Sequence, residues 1–314
     1  MAYTIASLFA GMGGIDIAFE QAGFHIVWAN EVNSAACRTF RYNFGHDFLV
    51  EGDIKRINHS TIPDFDVLVA GFPCQPFSIG GKQRGFHDAR GTLFFEIARV
   101  LAEKQPPVVF LENVANLLEH DNGRTFLVIY NTLVELGYIL KYHVMNATEY
   151  GNLPQPRNRI FLVAFQDFAQ SKRFSFPEPV PLTCTLDDIV HRSEKKPDIY
   201  YFKENHPWYA RLHANANDRN YIYHIKDRGL LKVRNRWCPV LTANMGTYLD
   251  RVPVVKDDFG FRKLTLRECL DFQGFPQKFY FPNSIGIGDT YRQIGNSVAV
   301  TVIKRIAERV WGSF

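Results

Sequence analysis

The sequence predicts an α/β fold: short buried strands alternating with amphipathic helices, then a smaller and more irregular segment. Three observations predict it. Apolar runs of about five residues, bounded by Gly and Pro, recur between stretches with helical spacing. A glycine cluster, Gly11-Met12-Gly13-Gly14, separates the first strand pattern from the first helical one. Acids stand at the ends of several runs (Glu31, Asp53, Glu112), where open α/β sheets collect their ligands.

Thr4 to Phe9 reads as the first strand and Ile15 to Glu20 as the first helix. A strand, a glycine turn and a helix together suit a nucleotide-like ligand, because the turn lets backbone approach and the helix end offers free N–H groups. The spacing is not GxGxxG, which disfavours a nicotinamide dinucleotide. The next strand, His25 to Ala29, ends at Asn30-Glu31. A carboxylate there suits ribose hydroxyls, or it is a helix N-terminal acid before the helix from Ser34. A short strand at Phe48 to Val50 leads to Gly52-Asp53-Ile54. One glycine turn and two strand-end acids together suit an adenosyl ligand.

The strand Asp66 to Ala70 runs into Gly71-Phe72-Pro73-Cys74-Gln75-Pro76-Phe77-Ser78. Prolines on both sides fix φ and hold Cys74 on a stiff turn. The thiol is either a buried structural group or an activated nucleophile. The strand end, the prolines and the following glycine-rich basic segment, Gly80 to Gly85 with Lys82 and Arg84, favour the nucleophile. Gly91 to Glu103 reads as a helix. Pro107 to Leu111 reads as a strand ending in Glu112-Asn113-Val114, so Glu112 shares the strand-end layer with Cys74. Thr125 to Leu136 is helical and Tyr138 to Met145 a strand. Arg157 and Arg159 precede the strand Ile160 to Phe165, and their i, i+2 spacing predicts side chains on one side. Phe176 to Pro181 is proline-rich and reads as a linker. Beyond it, Leu264 to Phe272 is helical, and Tyr291 to Ser297 caps a last helix from Val298 to Val310.

With 314 residues, 46% of them hydrophobic and 22% charged, the chain suits a soluble protein of one large or two smaller domains. No apolar run approaches the roughly 20 residues of a membrane span, and the N-terminus lacks the basic region of a signal peptide. Five cysteines without a CxxC pair argue against a zinc site or a disulfide framework and for a reducing cytosol. Residues 181–282 hold 17 Lys and Arg against 12 Asp and Glu, a net of +5, while the whole chain carries +4. Within this stretch Arg219, Lys226, Arg228, Lys232, Arg234 and Arg236 lie among Tyr221, Tyr223, His224 and Trp237. Such interleaving suits nucleic acid or is an ordinary solvated face.

The blocks together resemble the cytosine-5 DNA methyltransferases of bacterial restriction–modification systems, the HhaI type in particular. They are Phe9 to Gly14, Asn30-Glu31, Gly52-Asp53-Ile54, Gly71 to Ser78, Gly91 to Phe95, Glu112-Asn113-Val114, Gln155 to Arg159, Arg262 to Pro276 and Gln293 to Val298, in the family's order. Only residues 177–237 are left unmatched. The resemblance implies a Rossmann-like mixed sheet that the C-terminal helix rejoins (residues 1–180 and 283–314) and a target-recognition domain between (181–282). It implies S-adenosylmethionine in the glycine turn, touching Phe9, Ala10, Gly11, Met12 and Gly14. Glu31 would hold the ribose and Asp53 the adenine amino group, with Ile54, Pro73, Leu93, Asn296 and Val298 lining the pocket. Cys74 would attack carbon 6 of a flipped-out cytosine, Glu112 would hold ring nitrogen 3, and Arg157 and Arg159 would hold the base and the catalytic groups. Gln75 and Ser78, with Lys82 and Arg84 in the loop to Gly91, would close over DNA. Beyond what the resemblance implies, the basic and aromatic stretch it leaves unmatched, with Arg219, Arg228, Arg234 and Arg236, is expected to meet DNA from the second domain together with Thr242.

The expected partner is double-stranded DNA, met by a monomer in the bacterial cytoplasm at the nucleoid. A cognate restriction endonuclease would act at the same site without a stable complex, and no metal or membrane is expected. Two departures stand out. Val240-Leu241-Thr242-Ala243 has Val where the family's Thr-Leu-x-Ala has a hydroxyl, and Val32 stands where a close relative has an aromatic. The tRNA-methylating branch of the family is the runner-up, disfavoured because its Cys-Phe-Thr tripeptide is absent. A regulatory homologue without catalysis is disfavoured by the intact Cys74, Glu112, Arg157 and Arg159.

Overall fold

The computed structural model describes residues 2–72, 93–216, 218–226 and 229–314, the Arg234 side chain excepted. The chain forms two compact units: Met1–Met145, Asn158–Glu178 and Val302–Phe314 in the first, Asn146–Arg157 and Pro179–Thr301 in the second. The first break after residue 165 falls between Glu178 and Pro179, inside the proline-rich stretch read as a linker.

The first unit begins β1 (Thr4–Leu8), α1 (Gly14–Gln21), β2 (His25–Glu31), α2 (Ser34–Phe44), β3 (Leu49–Glu51) and β4 (Val67–Gly71). It continues with α3 (Leu93–Lys104), β5 (Val108–Val114), α4 (Arg124–Glu135) and β6 (Ile139–Asn146). After the single turn α5 (Ala147–Tyr150), which lies in the second unit, come β7 (Asn158–Phe165) and α6 (Phe168–Arg173). The sheet order is β3-β2-β1-β4-β5-β7-β6. β1 pairs in parallel with β2 and β4, β2 with β3 and β4 with β5, whereas β5 and β7 pair antiparallel. The sheet is therefore mixed, as the resemblance implied.

Strand alternation divides the apolar side chains between two faces. On one, Leu68, Ala70, Val109, Leu111 and Leu162 pack with Phe94, Ile97 and Leu101 of α3 and Ile129 and Leu133 of α4. On the other, Phe110 meets Phe19 of α1 at 5.1 Å and Phe161 at 6.1 Å between ring centroids. The chain moves to opposite sides of β1 when it forms β2 and then β4. That reversal opens a crevice beyond the carboxyl ends of β1 and β4, the usual ligand position of such sheets.

The second unit contains α7 (Leu186–Ile189), α8 (Tyr209–Asn215), β8 (Tyr223–Lys226), β9 (Gly229–Lys232), α9 (Asn244–Thr247), β10 (Val254–Asp257), β11 (Gly260–Lys263), α10 (Leu266–Asp271) and α11 (Ile287–Asn296). Its four-stranded sheet runs β11-β10-β8-β9, with antiparallel pairings. Its interior holds an ion triad. Arg262, fully buried, donates from Nε to Asp257 at 2.7 Å and from both terminal nitrogens to Glu268 at 2.8 Å. Glu268 also closes a capping box with Thr265 at the start of α10. The last helix, α12 (Val300–Trp311), starts two residues after the expected Val298. Tyr291 to Ser297, expected as its cap, instead belongs to α11 up to Asn296.

Candidate active site

In the first unit the turn after β1 is built for close approach. Gly11 and Gly13 have φ of 58° and 90°, and Phe9 is held at 56° although it is not glycine. A side chain at Gly13 would collide with Phe44 at 2.2 Å, whereas one at Gly11 would meet nothing nearer than the Phe9 carbonyl at 4.0 Å. The backbone over Gly11 is thus open. Glu31, at the end of β2, shapes this cradle. Its Oε2 accepts from the Gly11 N–H at 2.9 Å, and its Oε1 accepts from Val32 and Asn33 N–H at 2.8 and 2.7 Å. A carboxylate has about four acceptor positions, so Oε2 keeps one for a ligand hydroxyl. Asn30, which sequence reasoning passed over as a site residue, donates to the carbonyls of Val50 and Gly52 at 3.0 and 2.9 Å and fixes the loop bearing Asp53. Asp53 caps a short 3₁₀ turn by accepting from Lys55 N–H at 3.1 Å. Ile54 beside it is buried, as are Met12 and Gly14. Leu93 is half-buried at the start of α3.

At the end of β4 stands the second group. β5 places Glu112 beside Gly71 in parallel register. A side chain at Gly71 would come within 3.5 Å of Glu112 Oε2, so the carboxylate lies over that glycine. Glu112 is 8% exposed, and its Oε1 lies 3.1 Å from Arg159 Nε. The antiparallel β7 makes this possible: Arg159 opposes Val114 at the end of the β5–β7 ladder. Asn113 donates to the Phe72 carbonyl at 2.8 Å and ties down the chain as it leaves β4. Asn113 was visible in the Glu-Asn-Val block but carried no role there. Cys74, Pro73, Gln75, Ser78, Lys82 and Arg84 lie outside the described residues, as does Arg228.

The four described cysteines are free, and none is fitted to be a nucleophile. Burial, reinforced by the charges of Glu51 and Glu31, pushes the Cys37 thiol up to about 12. Burial also holds Cys238 and Cys269 well above the ordinary thiol range, and it raises Cys184. Among the described residues no group of His, Cys, Asp and Glu could hold a metal ion. No helix among them is long and apolar enough to cross a membrane.

A glycine cradle with a ribose-type acid, next to a strand-end carboxyl and arginine, is the arrangement the family resemblance implies. The family described as C-5 cytosine-specific DNA methylase matches residues 3–311. The chain belongs to this family. Type II methyltransferase M.Bsp6I of a Bacillus species is 47% identical over 312 residues, 98% of each chain. Type II methyltransferase M.HhaI of Haemophilus parahaemolyticus is 38% identical over 319 residues, 98% of this chain and 93% of that one. Among solved structures, a mutant DNMT2 of Spodoptera frugiperda covers 99% of this chain and all of its own, with a TM-score of 0.76 at 20% identity. Dnmt2 of S. pombe gives 0.73 at 20%, covering 98% and 97%. These two share the fold.

C-5 cytosine methylases draw their methyl group from S-adenosylmethionine. The cradle fits that cofactor: Gly11 is open to an approaching ligand, Glu31 has acceptor capacity left, and Asp53 and Ile54 stand at the next strand end. Val32 is 66% exposed, so the position where a close relative has an aromatic forms no packed wall here. Asn296 and Val298 lie in the second unit, the first exposed at the end of α11 and the second buried.

Arg157 and Arg159 part company. Arg157 precedes β7, so strand alternation does not govern it. Its buried guanidinium donates to the carbonyl of Leu241 at 2.9 Å and to that of Ser297. Gln155, also buried, donates to the Phe272 carbonyl at 3.0 Å and accepts from Leu241 N–H at 3.1 Å. Close backbone packing completes this knot, for a side chain at Gly295 would strike Thr242 at 2.0 Å. The Thr242 backbone therefore sits directly against Gly295 of α11. The basic stretch of the second unit is not a set of loose cations. Arg219 pairs with Asp258 at 2.7 Å, Lys232 pairs with Asp218 at 2.9 Å and covers Tyr221, and Arg236 pairs with Asp187 at 2.6 Å.

Proposed function

We propose that this chain methylates carbon 5 of a cytosine within a specific sequence of double-stranded DNA. The observation that carries this is the Glu112–Arg159 pair over Gly71, at the strand end that leads into Pro73-Cys74-Gln75. S-adenosylmethionine supplies an electrophilic methyl group when bound, and Gly11, Glu31, Asp53 and Ile54 would hold it, with Phe9, Ala10, Met12, Gly14, Pro73, Leu93, Asn296 and Val298 around it.

Carbon 5 of cytosine is too weak a nucleophile to accept a methyl group unaided. The Cys74 thiolate adds to carbon 6 and turns the ring into an enamine, with charge developing at nitrogen 3 and the carbonyl oxygen. Glu112, protonated, donates its proton to nitrogen 3, and Arg159 holds Glu112 and faces the carbonyl oxygen. Once carbon 5 carries the methyl group, its proton is lost to a base and the Cys74 thiolate leaves carbon 6. Arg157 supports the scaffold that carries Thr242 and Ser297. The base has to leave the stack, at a cost of a few kcal/mol. Gln75, Ser78, Lys82 and Arg84 close on the DNA. Residues 181–282 recognise the target through Arg219, Arg228, Arg234, Arg236 and Thr242. The enzyme works as a monomer in the bacterial cytoplasm, and a restriction endonuclease of the same site acts without a stable complex.

Bisulfite sequencing of DNA from cells expressing the chain tests this directly, with tRNA from the same cells as the second arm. The expected result is one methylated DNA motif, lost with Cys74→Ala although the variant still binds S-adenosylmethionine. Duplexes carrying 5-fluorocytosine at that position should trap the unsubstituted enzyme covalently, because fluorine does not leave as a proton does. Methylation confined to tRNA, or full turnover by Cys74→Ala, would overturn the proposal.

A further inference from the structure

Asp187, on α7, is clamped between two guanidinium groups. Its Oδ1 accepts from Arg192, whose side chain is 9% exposed, and its Oδ2 accepts from Arg236 at 2.6 Å. Arg236 is fixed a second time, by donation from Nε to the Asn220 carbonyl at 3.0 Å. Its backbone is unusual as well. Asn235 and Arg236 are consecutive residues with φ of 60° and 55°, the left-handed region that non-glycine residues seldom occupy. Such conformations persist where the surroundings over-determine them, and they gather at binding sites.

An arginine carries five N–H donors in a planar fork. Asp187 and Asn220 use two of those on Arg236. The remaining donors, both on Nη1 and one on Nη2, form the outer edge of the fork, and the side chain stays 44% exposed. An arginine meant only to attract phosphate gains nothing from a carboxylate beside it, which lowers the local positive charge. One meant to read a base edge gains a fixed direction. The largely covered Arg192 side chain holds the carboxylate, the carboxylate holds Arg236, and the left-handed turn sets where the fork points.

We propose that Asp187 is a positioning residue for sequence choice: it orients Arg236 so that the free edge of its guanidinium meets one base pair of the target. This rests on the reading of the chain as a sequence-specific DNA methylase whose second unit touches DNA. Arg219 lacks the second anchor and the left-handed backbone, although it too pairs with an acid.

The test uses the full-length protein and the duplex identified by bisulfite sequencing, with single base-pair changes at each recognised position. Methyl-transfer rates give the discrimination, and the slope of log affinity against log salt gives the phosphate contribution. With Asp187→Asn, discrimination at one position should fall about tenfold or more, as expected for losing one oriented arginine contact. Affinity for unrelated duplex, salt slope and melting temperature should stay near their starting values. Asp187→Glu should restore part of the discrimination. Arg236→Ala should relax the same position, and the double variant should lose no more than Arg236→Ala alone. If Asp187→Asn misfolds, Arg236→Lys decides: it keeps the charge and removes the fork, so discrimination should fall while the salt slope holds.

Retained discrimination in Asp187→Asn, with tighter binding to every duplex and a steeper slope, would make Asp187 an electrostatic shield and overturn the inference. Retained discrimination in Asp187→Asn together with loss in Arg236→Ala overturns the inference and leaves the DNA reading intact. If Arg236→Ala changes neither affinity nor methylated sequence, the inference falls, and with it the assignment of Arg236 to DNA.

Discussion

Replacing Asp16 by Asn should shift the stability balance toward the variant as pH rises. Asp16 lies in the first turn of α1, directly behind the glycine cradle, and is fully buried. Neither of its oxygens finds a hydrogen-bond partner by distance and angle. Burial pushes its carboxyl up from 3.8 to about 7; Ser7 nearby softens the effect without cancelling it, and the Glu20 charge adds slightly. Between those two values the folded protein keeps a proton that the unfolded chain releases. The stability linked to the neutral carboxyl is therefore complete below pH 3.8 and lost by about pH 7. At about 1.4 kcal/mol per pH unit, the full loss is roughly 4 kcal/mol and the loss between pH 5 and 8 about 3 kcal/mol. Asparagine cannot ionise, so the stability of the variant relative to the unsubstituted protein should rise by about 3 kcal/mol over that interval. Any fixed cost of burying an amide cancels in the difference. Urea unfolding of both proteins at the two pH values measures it. A stability difference that does not change with pH would refute the reasoning and place a compensating partner beside the carboxyl.

Other substitutions probe the remaining supports. Glu31→Ala removes the acceptor for three backbone N–H groups of the cradle and should raise the dissociation constant of S-adenosylmethionine about 10- to 100-fold in calorimetry, in line with losing charged hydrogen bonds. Asp53→Ala should weaken the same binding by about 1–3 kcal/mol, with the fold unchanged by circular dichroism. Gly295→Ala forces a methyl group against the Thr242 backbone; thermal melting should report a loss of about 3 kcal/mol or more. Arg262→Ala leaves Asp257 and Glu268 buried without their cation and should cost about 3–5 kcal/mol by urea unfolding.

Most of the first unit was legible because each buried strand is a continuous apolar run. Val67 to Ala70 and Val108 to Leu111 are fully buried, and each is closed by a residue that the strand end then presents. The residues of the cradle stood out for the same reason: glycine and a strand-end acid are each local signals. α11 was not legible. Its buried residues are Thr290, Tyr291, Gln293, Ile294 and Gly295, so Tyr291 and Ile294 are interrupted by polar and small groups, and glycines bring its backbone close to α9. The strands of the second unit are four residues each, too short for alternation to register. Arg157 lies one residue before β7 begins, so strand periodicity does not fix its direction. The clamp of Arg236 by Asp187 joins positions 49 residues apart, and no spacing rule reaches that far.

The first unit is closed by its last residues. Tyr3 stacks on Phe314 at 4.0 Å and meets Trp311 edge-on at 4.9 Å, while Phe24 touches Trp311 at 5.0 Å. Arg173 anchors the same corner by donating to the Ser313 carbonyl at 2.8 Å. Tyr3 and Trp311 are 308 positions apart, so translation delivers the first well before the second. At roughly 5–20 residues per second the early aromatics wait on the order of tens of seconds for their covers. A nascent chain therefore carries Tyr3 and Phe24 long before it carries the aromatic rings that cover them. A chain cut upstream of Val302 lacks those covers, and its Tyr3 and Phe24 rings are left open to solvent.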